Sequence, residues 1–362
     1  MATTFERFDR DKQLADREKL FSLCFPESVL TDSGKRERYQ WQFRDFPHHH
    51  EGNSSYEYAA LEEGAVVGYY AALPYRYRVN GKVLTCGMVC DVMTHPEKRG
   101  NGIFKNIGTF ATRHLRESGV HFTSGYPIRK QVIPGHLRAG WKIGFDLPLF
   151  VSLLKSNHVL RKIHLSLLSP LINVVLDILN KVSGWIWKNH IPSYQTEFQD
   201  LSDASLVQVS DFARQWEKDR PFCLTKDIEF LSWRLGKRDA VYRVALLKKN
   251  GVTVGASLLR IMVFYGIPAV VMLDYMLLTE HIKASPRFLS DIKCMARSGK
   301  GEAVVVMLSN HWSRQYRLKM AGFLKSPFGF KFISKKLNYQ MNENHFLDEQ
   351  NWHLTWLDSD RF

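Results

Sequence analysis

Two stretches of the chain combine apolar runs with short polar turns. The segments from Tyr58 to Leu73 and from Tyr242 to Leu259 each contain two apolar runs separated by charged or amide residues and a glycine, Gly64 or Gly251. Apolar runs of this length, bounded by turn residues, are typical of β-hairpins. The sequence therefore predicts one hairpin in each half of the chain.

Three further landmarks recur in both halves, in the same order and at a nearly constant offset: Trp41 and Trp233, Asp91 and Asp274, and the Gly-aromatic steps Gly140-Trp141 and Gly322-Phe323. A repeat of this kind predicts a duplicated domain of roughly 150 residues. The expected fold class is α/β (α+β), with two tandem domains that each contain a twisted mixed sheet flanked by helices.

We expect an N-terminal domain over residues 1–146, a helical connecting segment over 147–195, a second domain over 196–340 and a C-terminal tail over 341–362. In the connecting segment, polar residues recur at helical spacing and leave a wide apolar arc. The central charges of Asp177 and Lys181 disfavour a membrane span. Either the helix packs between the two domains, or it lies on a membrane surface with three basic residues toward lipid headgroups: Lys155, Arg161 and Lys162.

The segment from Cys86 to Gly125 predicts a strand, a glycine turn, a helix and a second strand. Gly100 and Gly102 can adopt positive φ and let the backbone approach a ligand closely. The free N–H groups and the dipole at the helix start favour a pyrophosphate, and Lys98 and Arg99 add charge beside it. An ordinary strand-to-helix turn is the alternative. Six residues fall on one face of the predicted helix: Ile103, Ile107, Phe110, Ala111, His114 and Leu115.

The stretch His95-Pro96-Glu97-Lys98-Arg99-Gly100-Asn101-Gly102-Ile103 resembles the acetyl-CoA loop of the GNAT (Gcn5-related N-acetyltransferase) superfamily, and residues 56–145 carry the likeness. Phe104 departs from it, since many members have glycine or alanine there. The resemblance implies acetyl-CoA as co-substrate, without a metal, and the following cofactor-binding residues: Met93, Thr94, Lys98, Arg99, Gly100, Asn101, Gly102 and Ile103. The second half has no glycine from Asp274 to Ser298, so we expect it to bind no acyl-CoA.

The same resemblance implies direct attack of an amine on the thioester carbonyl, which requires a base, an oxyanion donor and an acid. Asp91 is the candidate base and a backbone N–H near Met93 or Thr94 the candidate oxyanion donor. His136 is the candidate acid, with Tyr126 as its substitute. The alternatives are a structural hydrogen-bonding role for Asp91 and a surface-helix position for His136.

The tail contains Trp352, Trp356, Asp358 and Asp360, and it resembles the ending of tandem GNAT proteins associated with bacterial polysaccharide biosynthesis. Aromatic rings and carboxylates suit an amino sugar, so these four residues are candidate substrate-binding residues. Docking of the tail for purely structural reasons is equally open.

Charge and composition restrict the classes of binding partner that we expect. A net charge of +14 favours an anionic ligand or surface. The basic residues are scattered and form no recognisable nucleic-acid motif, so nucleic acid is not an expected partner. The five cysteines lack paired spacing, and His48-His49-His50 is expected to form a solvated loop, so neither predicts a metal site. We see no secretory signal and expect a cytoplasmic location, with membrane association left open.

The leading functional hypothesis is transfer of an acetyl group from acetyl-CoA to a primary amine of a small molecule, such as an amino sugar or a sugar nucleotide in polysaccharide biosynthesis. A Fem-like aminoacyl transferase shares the tandem architecture but usually lacks the Arg-Gly-x-Gly loop. A non-catalytic basic module that binds membrane or nucleic acid is the hypothesis from another class.

Overall fold

A computed structural model describes residues 2–28, 30–236 and 240–361 of the chain. The chain forms two compact units. Unit 1 comprises Met1–Phe145 and Lys331–Asp348, and unit 2 comprises Asp146–Phe330 and Glu349–Phe362. Both units therefore draw on two separate segments of the sequence.

The strands, in chain order, are β1 (Thr4–Arg7), β2 (Tyr56–Glu62), β3 (Ala65–Val79), β4 (Lys82–Thr94), β5 (Phe122–Gly125), β6 (Lys142–Leu153), β7 (Tyr194–Asp200), β8 (Phe222–Leu224), β9 (Val241–Lys249), β10 (Val252–Phe264), β11 (Ile267–Leu277), β12 (Ala303–Met307), β13 (Leu324–Lys336) and β14 (Trp352–His353).

The α-helices are α1 (Arg10–Cys24), α2 (Asp32–Tyr39), α3 (Ile103–Glu117), α4 (Ile133–Arg138), α5 (Asn157–Lys162), α6 (Ser169–His190), α7 (Asp203–Trp216), α8 (Ile228–Leu235), α9 (Ser285–Ser298), α10 (Asn310–Gln315) and α11 (Glu343–Leu347). Helix α2 continues into a π-helical turn, Gln40–Arg44, and short 3₁₀ segments include Pro96–Lys98, Ser166–Leu168 and Thr279–Ala284.

The sheet of unit 1 has the strand order β1-β2-β3-β4-β5, followed by the last residues of β13. Strands β4 and β5 are parallel, whereas the other neighbours are antiparallel. Residues Ile333 to Lys336 pair with Gly125 to Phe122 and complete the sheet. A segment far away in sequence thus supplies the sixth strand of unit 1.

The sheet of unit 2 has the order β7-β9-β10-β11-β12, followed by the last residues of β6. Here β11 and β12 are the parallel pair, and Leu149 to Leu153 run antiparallel to β12. Each unit is therefore a mixed sheet flanked by helices, as predicted.

The two predicted hairpins are confirmed as β2–β3 and β9–β10. In both turns a non-glycine residue and the glycine after it have positive φ: Glu63 at 51° and Gly64 at 81°, Asn250 at 51° and Gly251 at 81°. Consecutive left-handed residues are the signature of type I′ turns, which match the twist of paired strands.

The grouping of residues differs from the predicted domain division in two respects. Residues 331–348 belong with unit 1, although the sequence assigned them to the second domain and the tail. The start of the predicted connecting segment is strand, because β6 continues to Leu153. Only the part from Asn157 to His190 is helical, as α5 and α6 joined by the short 3₁₀ segment.

Candidate active site in unit 1

A β-bulge interrupts strand β4 close to its end. Tyr69 of β3 faces Met93 and Ala71 faces Cys90, so that Asp91 and Val92 together oppose one residue of β3. Asp91 takes up the extra length with a left-handed φ of 47°. Such bulges bend the strand and redirect its side chains.

Strands β4 and β5 separate just before this bulge. Their parallel pairing runs from Cys86–Phe122 to Met88–Ser124, whereas β4 continues to Thr94. The bulge lies in the continuing part of β4, and Tyr126 follows directly after β5. Beyond Met88 the two strands are therefore no longer hydrogen-bonded to each other, which leaves an opening in the sheet between their carboxyl ends.

The backbone at the end of β4 can present a hydrogen-bond donor to this opening. The His95 N–H donates to the Val67 carbonyl of β3 at 2.8 Å. Because N–H directions alternate along an antiparallel strand, the N–H of Thr94 points away from β3. The Thr94 hydroxyl oxygen is also buried, with no hydrogen-bond partner among the described residues. Thr94 thus offers two polar groups for a ligand.

The predicted glycine turn follows at once and leads into α3. Gly100 and Gly102 both have positive φ, at 90° and 79°. Gly102 is the N-cap of α3 and provides no capping side chain. The N–H groups of the first helical turn, from Ile103 to Lys105, accordingly have no intrahelical acceptor. A Cβ atom on Gly102 would lie 3.7 Å from its nearest neighbour, so backbone conformation rather than space requires glycine there.

Gly68 of β3 allows α3 to start this close to the sheet. A Cβ atom at Gly68 would lie 2.9 Å from the Ile103 Cγ2 atom and 3.0 Å from the Ala60 Cβ atom. The helix face predicted from the sequence is buried at Ile103, Ile107, Ala111 and Leu115 and partly buried at Phe110 and His114. The role of Gly68 could not be predicted from the sequence, since an isolated glycine in a strand does not reveal which atom approaches it.

The basic residues of the turn differ in their surroundings. The Lys98 amine forms a 2.6 Å ion pair with Glu62, so its charge is largely compensated. Arg99 is exposed and lies near the Cys24 thiol. Burial raises the pKa of this thiol above its ordinary value, and the charge of Arg99 offsets part of that increase. Asn101 is exposed as well. Arg99 is therefore better placed than Lys98 to meet an anion at the start of α3.

Asp91 forms ion pairs with two arginines. Its carboxylate accepts from Arg17 at 2.6 Å and from Arg38 at 2.8 and 3.0 Å. Burial alone would raise the pKa of Asp91, but the Arg38 and Arg17 guanidinium groups outweigh burial and hold the pKa below its ordinary value. A carboxylate in these surroundings is a weak proton acceptor at neutral pH, so the contacts favour a positioning role over the predicted base role.

The two arginines bring α1 and α2 onto the end of β4. Arg17 is 1% exposed, and its guanidinium lies over four aromatic rings at 5.1 to 5.7 Å. Those rings belong to Phe21, Tyr39, Phe43 and Tyr69. Neither arginine was identified from the sequence, because 74 and 53 residues separate them from Asp91 and no local pattern links them.

His136 is buried on α4 between two aromatic rings. Phe104 and Trp141 each approach it edge-on, with ring centroids 5.0 Å from the imidazole. Burial lowers the pKa of His136 to about 4, so the imidazole is neutral at pH 7. Contrary to the surface-helix alternative, the side chain is only 6% exposed. A neutral, enclosed imidazole is a poor donor of a proton to a departing thiolate.

The Phe104 ring leaves no room for a side chain at Gly135 on α4. A Cβ atom on Gly135 would lie 2.6 Å from two atoms of the Phe104 ring. The residue that departs from the usual loop pattern therefore packs onto the backbone of α4, where glycine leaves room for it.

Tyr126, the substitute candidate acid, is as buried as His136, at 6% exposed. It follows β5, and its hydroxyl lies 3.5 Å from the Tyr77 hydroxyl. The Phe332 ring packs against it at 5.9 Å.

The corresponding part of unit 2 is built differently. Asp274 on β11 is fully buried, and burial raises its pKa despite the Lys226 amine 3.4 Å away. From there to Ser298 no described residue has positive φ, and Pro286 lies in the first turn of α9. The C-terminal tail brings the Thr355 hydroxyl to Asp274. Unit 2 thus has no left-handed glycine at this position, and the tail contacts Asp274 there.

The tail residues form part of the core of unit 2. Trp352, Trp356 and Asp358 are at most 1% exposed, and Asp360 is half-buried. Strand β14 pairs with β8, the Trp312 indole donates to the Trp352 carbonyl at 2.7 Å, and the Asp358 carboxylate accepts from the Thr355 N–H. Neither buried indole leaves a free face for a sugar ring, so the contacts favour the structural alternative for the tail.

One expectation about the histidine run is wrong. His48 is fully buried against Phe46, and the His50 Nδ1 atom lies 2.7 Å from the Tyr56 hydroxyl. Only His49 is exposed. Among the described residues, no group of three His, Cys, Asp or Glu side chains could hold a metal ion.

Residues 10–144 match the family model of the Acetyltransferase (GNAT) domain. The matched region of unit 1 is similar to a GNAT acetyltransferase domain. The match extends over both the bulged strand and the glycine turn, and it supports N-acyltransferase activity in general. A comparison with curated proteins found no match.

Three solved structures similar to the chain agree with a GNAT fold. A probable N-acyltransferase from Enterococcus faecalis V583 has a TM-score of 0.63 at 12% identity, and a GCN5-related N-acetyltransferase from Anabaena variabilis ATCC 29413 has 0.64 at 11%. Both alignments cover 93% of this chain and 73% of the other. A GCN5-related N-acetyltransferase from Kribbella flavida has 0.59 at 12%, covering 93% and 72%. At such low identity the likeness concerns the fold.

Proposed function

We propose that the GNAT domain of unit 1 transfers an acetyl group from acetyl-CoA to a primary amine of a small molecule. The observation that carries the proposal is the pair of left-handed glycines, Gly100 and Gly102, at the start of α3, next to the bulged end of β4. A helix N-terminus without a capping side chain offers N–H groups and a positive dipole to a pyrophosphate.

The residues of the glycine turn would contribute unequally to the binding of acetyl-CoA. The N–H groups of Gly102, Ile103 and the following residues would bind the pyrophosphate, and Arg99 would add positive charge. Lys98 would contribute less, because Glu62 already compensates it. The unpaired hydroxyl and the outward N–H of Thr94 fit the polar groups near the thioester.

The chemistry follows from these positions. The amine nitrogen would attack the thioester carbonyl, the carbonyl oxygen would receive negative charge, and the Thr94 N–H would stabilise it. Collapse would form the amide and break the C–S bond, and the nitrogen would lose one proton as the amide forms. We propose that the Tyr126 phenol donates a proton to the thiolate and regains one from this nitrogen. Asp91 would hold Arg17 and Arg38 in place. His136, neutral and enclosed, would support Phe104 at the start of α3.

An amino sugar or sugar nucleotide of bacterial polysaccharide biosynthesis remains our proposed acceptor, and a cytoplasmic site of action our proposed location. The support for this acceptor is the likeness of the C-terminal sequence alone, since the tail residues lie in the core of unit 2. The equal strand order of the two units supports a tandem duplication in which only the first copy kept its acyl-CoA site.

Calorimetric titration of the purified protein with acetyl-CoA tests the proposal, followed by an acceptor screen that monitors free thiol. We expect one binding site per chain and thiol release with at least one amino sugar. Two equal sites would contradict the loss of the second site. No binding at all would reject the proposed function, and an absence of turnover with bound acetyl-CoA would favour a non-catalytic module.

A further inference from the structure

Helix α6 of unit 2 exposes a continuous apolar face. Eight of its large apolar side chains are 46% to 69% exposed: Leu171, Val174, Val175, Ile178, Leu179, Val182, Trp185 and Ile186. At helical spacing they occupy one arc, which contains no polar residue between Leu171 and Ile186. Just before the helix, Ile163, Leu165, Leu167 and Leu168 extend the same apolar surface, and Leu167 is 95% exposed. We call these twelve residues the α6 face.

Three polar residues of α6, Asn173, Asp177 and Asn180, are turned toward unit 2 instead. Asn173 accepts from the Ser156 N–H at 2.7 Å, and Asn180 donates to the Leu153 carbonyl at 3.3 Å. Asp177 pairs with Arg297 on α9 at 3.3 Å. Surface helices of water-soluble proteins show the reverse arrangement, with the apolar stripe on the core. These polar contacts hold α6 against unit 2 with its apolar face outward.

Basic residues surround the α6 face. From Lys155 to His190 the chain contains five lysines and arginines but only one acidic residue, Asp177, which is already paired. Arg161 and Lys188 are exposed. The Lys162 amine donates to the Tyr265 carbonyl at the turn between β10 and β11. This contact brings a further aromatic residue beside the basic end of the face.

The aromatic residues next to this basic end are also exposed. Tyr265 is 58% exposed and stacks at 6.4 Å on Phe328, which is 71% exposed. Trp185 adds a third exposed ring near the other end of the face. Aromatic side chains with polar atoms concentrate at the level of lipid headgroups.

We propose that the α6 face docks on the surface of an anionic lipid bilayer. By length and composition α6 is also apolar enough to cross a membrane, the one such helix among the described residues. Its asparagine and aspartate contacts with unit 2 would have to break for it to do so, whereas lying in the interface preserves them. A second copy of the chain would bring another charge of +14 to the same face, but an anionic bilayer attracts that charge.

Flotation of the full-length protein with lipid vesicles tests this proposal. We expect binding to phosphatidylcholine vesicles that contain phosphatidylglycerol, weaker binding to phosphatidylcholine alone, and a decrease as salt rises. Ile178→Asp, at the centre of the face, should weaken partition at least about tenfold. Arg161→Ala should weaken it about fivefold. Leu171→Asp, on the same arc, provides a second variant should either protein express poorly.

Val207→Asp is the matched control, because Val207 is 47% exposed on α7 of the same unit but lies outside the α6 face. It should bind vesicles like the wild type. Failure of the wild type to float with the vesicles would overturn the proposal. Flotation of both Ile178→Asp and Leu171→Asp to the same extent as the wild type would also overturn it. A third outcome would overturn it as well: a wild-type protein that forms a dimer and binds no vesicles, and that Ile178→Asp converts to a monomer. The α6 face would then be a self-association surface.

Discussion

Asp91 combines an unfavourable backbone conformation with two ion pairs. Because Arg17 is 1% exposed, removal of the carboxylate would leave a buried guanidinium without its counter-charge. We predict that Asp91→Ala lowers the free energy of unfolding by about 3–5 kcal/mol, measured with urea. The control is Asp200→Ala, which removes a 3.1 Å pair with Arg243 in which Asp200 is 81% exposed. There the loss should stay below about 1 kcal/mol, and equal losses in the two variants would argue against a buried ion-pair centre.

His136 should make stability depend on pH. Its pKa falls from 6.5 to about 4 on folding, so the folded state resists protonation that the unfolded chain accepts. The associated stability is complete above pH 6.5 and is lost as pH falls toward 4. The loss amounts to roughly 3 kcal/mol. We predict that His136→Gln removes this part of the pH dependence, as measured by urea unfolding at several pH values. Parallel pH profiles of the wild type and the variant would refute the assignment.

At the residue scale, the sequence identified positions better than roles. Asp91 could be singled out because it lies on the strand before the glycine turn. Its role depends on contacts with Arg17 and Arg38. These residues are so far from Asp91 in the sequence that no hydrophobic or polar periodicity predicts the contacts. His136 was placed on a helix correctly, but its burial depends on the Phe104 and Trp141 rings that enclose it.

The glycine turn allows a test of the loop as an element. Gly102 and Gly64 have nearly the same φ, 79° and 81°, and neither has a close neighbour that a side chain would strike. Gly102→Val and Gly64→Val should therefore lose similar stability, of order 1–2 kcal/mol. Only Gly102→Val should reduce acetyl-CoA affinity, by at least about tenfold in calorimetry. Unchanged affinity in folded Gly102→Val would remove this turn from the site.

The packing of α3 on α4 can be tested by a double-mutant cycle. Gly135→Ala places a methyl group 2.6 Å from the Phe104 ring and should destabilise the protein by about 1–3 kcal/mol. In a Phe104→Ala background the same substitution should be nearly neutral, since the obstructing ring is gone. Thermal unfolding of the four proteins gives the coupling energy. Additive effects would show that the two residues do not interact.

At the element scale, the sequence predicted elements that depend on neighbouring residues, such as hairpin turns. It did not predict pairings between segments that are far apart in the chain. The hairpins could be predicted because Gly64 and Gly251 lie in the turns themselves. The strand at Ile333 to Lys336 joins β5 of unit 1, and its sequence does not reveal which sheet edge accepts it. The tail was ambiguous for the same reason, since an exposed and a buried tryptophan look alike in sequence.

The tail is important for the whole molecule because it completes the core of unit 2. We predict that Trp356→Ala, which removes a ring packed against Phe264 and Phe330, lowers the free energy of unfolding by about 3–5 kcal/mol. Acetyl-CoA affinity, measured on the folded variant, should stay at the wild-type value, because the glycine turn belongs to unit 1. Undiminished stability with a raised Michaelis constant for the acceptor would instead support a substrate-binding role for the tail.

The strand that residues 331–336 contribute to unit 1 also has a consequence for how the protein is made. When residue 145 leaves the ribosome, the sheet of unit 1 still lacks its sixth strand, and β5 is an open edge. At roughly 5–20 residues per second, synthesis of the intervening chain takes on the order of 10–40 s. During this interval the edge of β5 is available to other nascent chains or to a chaperone. Unit 1, which contains the proposed acyl-CoA site, thus begins to emerge before unit 2 but cannot be completed until residue 336 has been synthesised.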